Sequence, residues 1–212
     1  MVDIKSLIES SPRKYRSILI FGPPGAGKGT LGKFLSSAGN HFHLSSGDIF
    51  RGLSPESPAG KIYHSYAGKG HLVPDDVTLG IWHHYVEGLI ATNRYFPHQQ
   101  LLLLDGIPRT TAQAEMLEKY IDLLHLIVLE TPNTEELIKR MKRRALIEGR
   151  HDDADESILR TRMSVYEKTT QAILKHYSPK LISRFNADQK PLEVLRDVLA
   201  KLSQLLSHPE SV

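Results

Sequence analysis

The 212-residue chain contains no cysteine, and this absence excludes several kinds of chemistry at once. A chain without cysteine forms no disulfide bonds, builds no thiolate zinc site and has no thiol nucleophile. Such a composition is typical of proteins from reducing compartments, so we expect a cytoplasmic location.

The sequence also lacks long apolar segments. Apolar runs such as residues 101–104 are far shorter than the roughly 20 residues that a membrane-spanning helix requires. Residues 1–16 carry charges of both signs and have no apolar core of the kind found in signal peptides. We therefore expect a soluble protein with no membrane partner.

There is no strong excess of charge of either sign. Lysine and arginine number 27 against 24 aspartates and glutamates, which gives a net charge of +3. A nucleic-acid-binding protein would gather its basic residues on one face, whereas here they are spread along the chain and interrupted by acids. The composition favours a small polyanionic ligand over a nucleic acid.

What the chain does contain is an alternation of apolar, strand-like segments with helical ones. The strand predictions are residues 17–21, 42–45, 101–105, 126–130 and, with a weaker pattern, 181–185. The helix predictions are residues 28–38, 75–92, 111–123, 134–145, 156–177 and 191–206. Strands that are apolar throughout are typical of a parallel sheet covered on both faces. The order predicts an α/β doubly wound domain with five parallel strands.

Two stretches do not follow this alternation. Residues 46–74 are rich in glycine and proline, and residues 146–155 form a polar link between two predicted helices. We expect a domain spanning residues 17–212, with a core of residues 17–45, 75–145 and 156–212, a mobile insertion at 46–74 and a short loop at 146–155. Residues 1–16 are predicted to be an N-terminal extension. Ligands of open α/β sheets bind at the carboxyl ends of the strands, where both irregular stretches emerge.

A glycine-rich segment follows the first predicted strand and opens the first helix. Residues 22–30 read Gly-Pro-Pro-Gly-Ala-Gly-Lys-Gly-Thr, and we call them the phosphate loop. Glycines let consecutive backbone N–H groups turn towards a phosphate, and the helix N-terminus adds partial positive charge. Lys28 supplies a point charge for the outer phosphates. A purely structural turn would not require this combination, so the loop predicts a nucleoside triphosphate site.

The phosphate loop departs from the common pattern at one position. Gly29 stands directly after Lys28, where the strict pattern has a serine or threonine that ligates Mg²⁺, and Thr30 follows it. This Gly-Lys-Gly-Thr form resembles that of the nucleoside monophosphate kinases, and above all the adenylate kinases.

The resemblance to the adenylate kinases covers about residues 17–205. Matching segments are residues 45–51 (SSGDIFR), 69–75 (KGHLVPD), 105–110 (DGIPRT), 149–153 (GRHDD) and 186–191 (NADQKP). It implies a phosphate-loop NTPase fold with a monophosphate-binding insertion, residues 46–74, and a short lid, residues 146–155. It also implies phosphoryl transfer from ATP to AMP with Mg²⁺ bound to the ATP.

The family pattern assigns expected roles to this chain's residues. The expected ATP-binding residues are Gly25, Ala26, Gly27, Lys28, Gly29, Thr30, Arg140, Arg144 and Lys190. The expected AMP-binding residues are Ser46, Arg51, His71, Leu72, Val73, Gly106, Ile107, Pro108, Arg109, Gln113, Arg150 and Arg162. Lys28, Arg109, Arg144, Arg150 and Arg162 are expected to be catalytic. Asp105 is expected to orient Mg²⁺ through water, and Asp152 and Asp153 to act as lid hinges or donor-side anchors.

Several of these residues have simpler interpretations. Asp105 could only cap the following helix, Arg140 could lie on a solvated helix face with nearby glutamates, and Gln113 could be an ordinary helix residue. The spacing between Arg150 and Arg162 is one residue longer than in the family pattern, so Arg160 competes with Arg162. The eleven histidines show no metal-binding spacing.

The predicted function is therefore an adenylate kinase, expected to be a monomer. Two alternatives remain open at the level of the sequence. One is a UMP or CMP kinase of the same fold, and the other is a non-catalytic ATP-binding protein with the same phosphate loop. Cations in four separate segments favour catalysis, because a simple binding protein has no use for so many.

Overall fold

The fold is built on a parallel sheet whose strands alternate with helices along the chain. The computed structural model describes residues 14–150, 153 and 155–207. The strands are β1 (Tyr15–Phe21), β2 (Phe42–Ser45), β3 (Leu102–Asp105), β4 (Ile121–Glu130) and β5 (Ile182–Asn186). They pair in parallel in the order β2-β3-β1-β4-β5. The predicted five-stranded α/β fold is confirmed.

Eight α-helices lie between and after these strands in the described part of the chain. They are α1 (Lys28–Gly39), α2 (Ser46–Arg51), α3 (Pro58–Ala67), α4 (Asp75–Ala91), α5 (Thr111–Leu117), α6 (Thr134–Glu148), α7 (Glu156–His176) and α8 (Pro191–Ser207). A short 3₁₀ turn, Pro179–Leu181, precedes β5. None of the helices in the described ranges is long and apolar enough to cross a membrane.

The sheet has an apolar layer on each face. On β1, Leu19 and Phe21 join one core cluster while Ile18 and Ile20 join the other. The first cluster includes Trp82 of α4, and the second includes Leu35 of α1. Ile18, Leu19 and Trp82 are all fully buried. Burial on both faces explains why the strands are apolar throughout rather than alternating.

The predicted helix at residues 111–123 is wrong in its second half. Helix α5 ends at Leu117, and β4 begins at Ile121, five residues before the predicted strand. Ile121 pairs with Tyr15 at the beginning of β1. This pairing also places Tyr15 and Arg16 in the sheet, although the sequence assigned them to an N-terminal extension. The backbone hydrogen bonds available to a partner strand outweigh the local helical pattern.

The two irregular stretches are more helical than the sequence indicated. Residues 46–74 contain α2 and α3, and the first three residues of the stretch 146–155 belong to α6. The first stretch begins directly after the carboxyl end of β2. Of the N-terminal extension predicted at 1–16, residues 1–13 lie outside the described residues.

Candidate active site

The phosphate loop lies between β1 and α1, with its backbone in conformations that favour glycine. Gly25 has φ +84° and Gly27 has φ +91°, both in the left-handed region. A Cβ on Gly25 would also lie 2.9 Å from the carbonyl oxygen of Leu137. Gly27 is the N-cap residue of α1 and, as a glycine, has no side chain to occupy the amides of the first turn. The N-terminal amides of α1 therefore point into the cleft, ready to bind an anion.

Lys28 folds back over this loop. Its Nζ donates hydrogen bonds to the carbonyl oxygens of Gly22 at 2.8 Å and Pro23 at 3.0 Å. Desolvation, together with the charges of Arg109, Arg144 and Arg162, lowers the pKa of Lys28 to about 8, although Asp105 opposes this shift. The ammonium group is thus held among other cations, where an anionic ligand would relieve the repulsion.

Asp105 stands at the end of β3 beside the phosphate loop. Its side chain is nearly buried, and a Cβ placed on Gly29 would lie 3.7 Å from its Oδ2. Burial alone would raise the pKa of Asp105, but His43 and Lys28 outweigh this and hold the pKa below its ordinary value. The Nε2 of His43 is 3.8 Å from Asp105 Oδ2, an ion-pair separation rather than a hydrogen bond. Asp105 is therefore anionic at neutral pH.

The predicted cations converge on one cleft. Its lining includes Gly25, Gly27, Lys28, Gly29, Thr30, Arg51, Leu72, Asp105, Gly106, Ile107, Pro108, Arg109, Arg144, Arg150 and Arg162. These residues come from the phosphate loop, α2, the segment before α4, the end of β3 and the segment after it, α6, the segment after α6, and α7. Desolvation in the cleft and the charge of Arg162 lower the pKa of Arg109 to about 10, so it remains cationic at neutral pH. A cleft with this concentration of positive charge fits a ligand with several phosphates.

A buried carboxylate links two of these arginines. Asp153 is fully buried and accepts a hydrogen bond from Arg144 Nε at 2.9 Å and another from Arg162 Nη1 at 2.5 Å. Arg160 instead pairs on the surface with Glu135 and Glu156. The structure therefore brings Arg162, not Arg160, into the cleft. Asp152 lies outside the described residues.

Arg150 connects the region after α6 with α2. Its Nε donates to Glu148 Oε2 at 2.6 Å, and its Nη2 lies 3.5 Å from Asp48 Oδ1. Asp48 also accepts a hydrogen bond from Arg51 Nη2 at 2.5 Å. One carboxylate thus faces two arginines that belong to different segments of the cleft wall.

A second pocket adjoins the cleft beneath α3. Phe50 and Tyr63 stack there with ring centroids 5.4 Å apart and planes 21° apart. The predicted acceptor-side residues that line only this pocket are Ser46, His71, Val73 and Gln113. Arg51, Leu72, Gly106, Arg109 and Arg162 line both pockets. The pocket combines aromatic surface with the amide of Gln113, a chemistry suited to a nucleotide base.

Gln113 is 1% exposed, so it is not an ordinary surface residue of α5. Its Oε1 accepts a hydrogen bond from the backbone N–H of Arg109 at 2.7 Å, and its Nε2 donates to Asp75 Oδ1 at 2.8 Å. The side chain is therefore held in a fixed position at the wall of the second pocket.

Three predicted donor-side residues lie away from the lining of the cleft. Ala26 is a buried residue of the phosphate loop. Arg140 forms an ion pair with Glu136 at 3.5 Å and reaches the carbonyl oxygen of Ala187 at 3.4 Å, while Lys190 is exposed at the start of α8. Arg140 thus combines the surface ion pair with a contact to the loop after β5.

Sequence reasoning missed one wall of the cleft. Val165, Tyr166, Thr169, Thr170 and Ile173 of α7 line it together with Arg162. Successive members of this set, counted from Arg162, lie three or one positions apart in alternation, which places them on one face of a helix. The spacing of these residues can be read from the sequence. Because the face mixes polar and apolar side chains, however, the pattern does not identify it as the wall of a binding site.

The order of the parallel strands and the loop after β1 define a nucleotide-binding protein of the phosphate-loop class. Comparison with known proteins is more specific. The adenylate kinase family model matches residues 20–182. The adenylate kinase of Flavobacterium psychrophilum is 34% identical over 198 residues, covering 91% of this chain and 98% of that protein. The adenylate kinase of Thermus thermophilus is 34% identical over 194 residues, covering 88% and 97%. The chain belongs to the adenylate kinase family.

Proposed function

We propose that the protein catalyses the reversible transfer of the γ-phosphoryl group of ATP to AMP, which yields two molecules of ADP. One observation carries this proposal. Lys28 of the phosphate loop and five arginines, Arg51, Arg109, Arg144, Arg150 and Arg162, line a single cleft that continues into a pocket suited to a base. The names of the related proteins give the same activity.

The two substrates divide the cleft between them. Residues 25–30 of the phosphate loop and Arg144 bind the donor phosphates, while Arg140 and Lys190 contact the adenine side of ATP. Arg51 and Arg109 bind the phosphate of AMP, with Ser46, the stretch 71–73 and Gln113 around its base. Arg150 and Arg162 lie between the two sites and stabilise the group in transfer. Residues 46–74 and 146–155 act as the insertion and the lid that close over them.

The reaction needs little covalent assistance from the protein. A phosphate oxygen of AMP attacks the γ-phosphorus in line, the bond between the γ-phosphorus and its bridging oxygen breaks, and ADP leaves. The attacking oxygen is already ionised, so the protein requires no general base. Positive side chains that face the developing charge supply the rate enhancement.

The ionised carboxylate of Asp105 is an oxygen group of the kind that Mg²⁺ prefers, and it lies beside the phosphate loop. Asp105 would hold the ion through water. When bound with ATP, Mg²⁺ neutralises charge on the β- and γ-phosphate oxygens. The ionised state of Asp105 at neutral pH suits this role.

Steady-state assays with AMP, CMP and UMP at fixed Mg·ATP test the proposal. We expect formation of ADP from AMP, with kcat/KM at least about 100-fold higher than for CMP or UMP, because unpaired polar groups penalise the wrong base. The reverse reaction should convert ADP to ATP and AMP. Equal or faster use of CMP or UMP would overturn the choice of AMP, and no phosphoryl transfer at all would overturn the activity.

A further inference from the structure

Gln113 takes part in a hydrogen-bond network that extends behind the second pocket. Asp75, the first residue of α4, accepts two hydrogen bonds through the same oxygen, Oδ1. Gln113 Nε2 donates one at 2.8 Å, and the Thr110 hydroxyl donates the other at 2.9 Å. Thr110 Oγ1 in turn accepts from the backbone N–H of Gln113 at 3.0 Å and caps α5.

These partners leave the Gln113 amide only one orientation. The backbone N–H of Arg109 requires an acceptor, and the carboxylate of Asp75 requires a donor. A flipped amide would place N–H against N–H on one side and oxygen against carboxylate on the other. Asp75 and the Arg109 backbone therefore fix which end of the amide is oxygen and which is nitrogen.

The fixed amide has one donor and one acceptor left. Each amide group has two N–H donors and two oxygen lone pairs, and the network uses one of each. The remaining pair matches adenine, whose N6 amino group donates and whose N1 accepts. Hypoxanthine presents the reverse pattern at these two positions, with an acceptor at O6 and a donor at N1. To bind hypoxanthine, Gln113 would have to flip against Asp75.

We propose that Asp75 is a positioning residue that orients the Gln113 amide and thereby makes the acceptor site select adenine over 6-oxopurines. This inference rests on the proposed function, because it assumes that the base of AMP occupies the second pocket. Asp75 acts through Gln113 and need not touch the substrate.

The test compares AMP with IMP, which differs from AMP only at positions 1 and 6 of the base. For Asp75→Ala, we expect kcat/KM for AMP to fall about tenfold, the effect of losing a hydrogen bond to a charged group. The loss should appear in KM for AMP, with kcat and KM for ATP nearly unchanged. The use of IMP should be unchanged or improved, so the preference for AMP over IMP also falls at least about tenfold.

Three further variants separate positioning from general damage. Asp75→Asn keeps Oδ1 as an acceptor for both donors. Its preference for AMP over IMP should lie within about threefold of the wild-type value. Asp76→Ala removes the same charge from the same helix turn at an exposed position, and should behave as wild type. In a Gln113→Ala background, Asp75→Ala should change the preference by less than about twofold. If Asp75→Ala does not fold, Asp75→Leu, which fills the space without an acceptor, replaces it.

The outcomes distinguish this inference from the proposed function. If the wild type forms no ADP from AMP, the proposed function fails. If the wild type is active and Asp75→Ala keeps its AMP-to-IMP preference, the inference alone is overturned. An equal drop in preference in the presence and absence of Gln113 would overturn it as well.

Discussion

Lys28 lies in an environment that is unfavourable for its own charge. In the folded protein its ammonium group is desolvated, and Arg109, Arg144 and Arg162 repel it, which lowers its pKa from an ordinary 10.5 to about 8. The two backbone carbonyls that accept its hydrogen bonds compensate only in part. The unfavourable charge is what a triphosphate neutralises, so the same arrangement that costs stability promotes binding.

Lys28→Met should abolish activity and change how stability depends on pH. Loss of a preorganised charge in a water-excluded site should lower kcat/KM by about 100-fold or more. Between the folded pKa of about 8 and the ordinary value, the unfolded chain binds more protons, so the free energy of unfolding of the wild type rises with pH. From pH 7 to 9.5 the wild type should gain about 1–2 kcal/mol relative to Lys28→Met.

Urea denaturation of both proteins at the two pH values measures this change. Other titrating groups occur in both proteins and cancel in the comparison. Parallel pH profiles of the two proteins would show that the Lys28 pKa is not lowered. Near-normal turnover by the folded mutant would contradict its placement on the donor phosphates.

The positions of some candidate-site residues could be predicted from the sequence because their signal is local. The phosphate loop and the segment 105–109 each combine strand end, glycine and charge within a few residues. The contacts of Asp75 and Asp153 could not be assigned from the sequence. The partners of Asp75 lie 35 and 38 positions away along the chain, and those of Asp153 lie 9 positions away. The choice between Arg160 and Arg162 likewise depended on which side of α7 faces the cleft.

At the scale of the elements, the sheet was more predictable than the boundary between α5 and β4. The apolar runs at the centres of β1, β3 and β4 identify buried parallel strands without further information. The first half of β4 contains Asp122 and follows a helical pattern, so only its pairing with β1 fixes it as strand. Non-local pairing of this kind is invisible to a local pattern.

The contact between Arg150 and Asp48 links the segment after α6 to α2. Because Asp48 faces Arg150 and Arg51 at once, it competes with a phosphate for both cations. The pair is partly exposed, so its contribution is below about 1 kcal/mol. Asp48→Asn should therefore bind AMP about two- to fivefold more tightly at low ionic strength, and 0.5 M salt should reduce the difference.

Equilibrium binding of AMP at two salt concentrations checks this expectation. Glu56→Gln is a matched control, because Glu56 is an exposed acid of the same insertion that pairs only distantly with Lys61, at 3.9 Å. Glu56→Gln should leave the affinity unchanged. Weaker binding of AMP by Asp48→Asn would mean that Asp48 supports closure rather than competing with the phosphate.

At the scale of the whole molecule, stability has to come from the two apolar layers of the sheet and from ion pairs. The sequence has no cysteine, and in the ranges the structure describes no group of three or more histidine or acidic side chains is placed to hold a metal ion. In the short connection between α6 and α7, the buried side chain of Asp153 pairs with Arg144 and Arg162. These interactions tie the connection between α6 and α7 to both helices.

The fold should therefore be independent of metal, while the reaction depends on it. We expect the purified protein to contain less than about one zinc ion per ten chains. Structural zinc contributes on the order of 10 kcal/mol to the domains that need it, so chelation would unfold a protein that relied on it.

Here treatment with EDTA should leave the Tm unchanged but abolish ADP formation, and added Mg²⁺ should restore ADP formation. Elemental analysis and thermal unfolding before and after chelation provide the measurement. Stoichiometric zinc, or a chelator-induced fall in Tm, would contradict the metal-free lid, whereas activity that survives chelation would contradict the role assigned to Asp105.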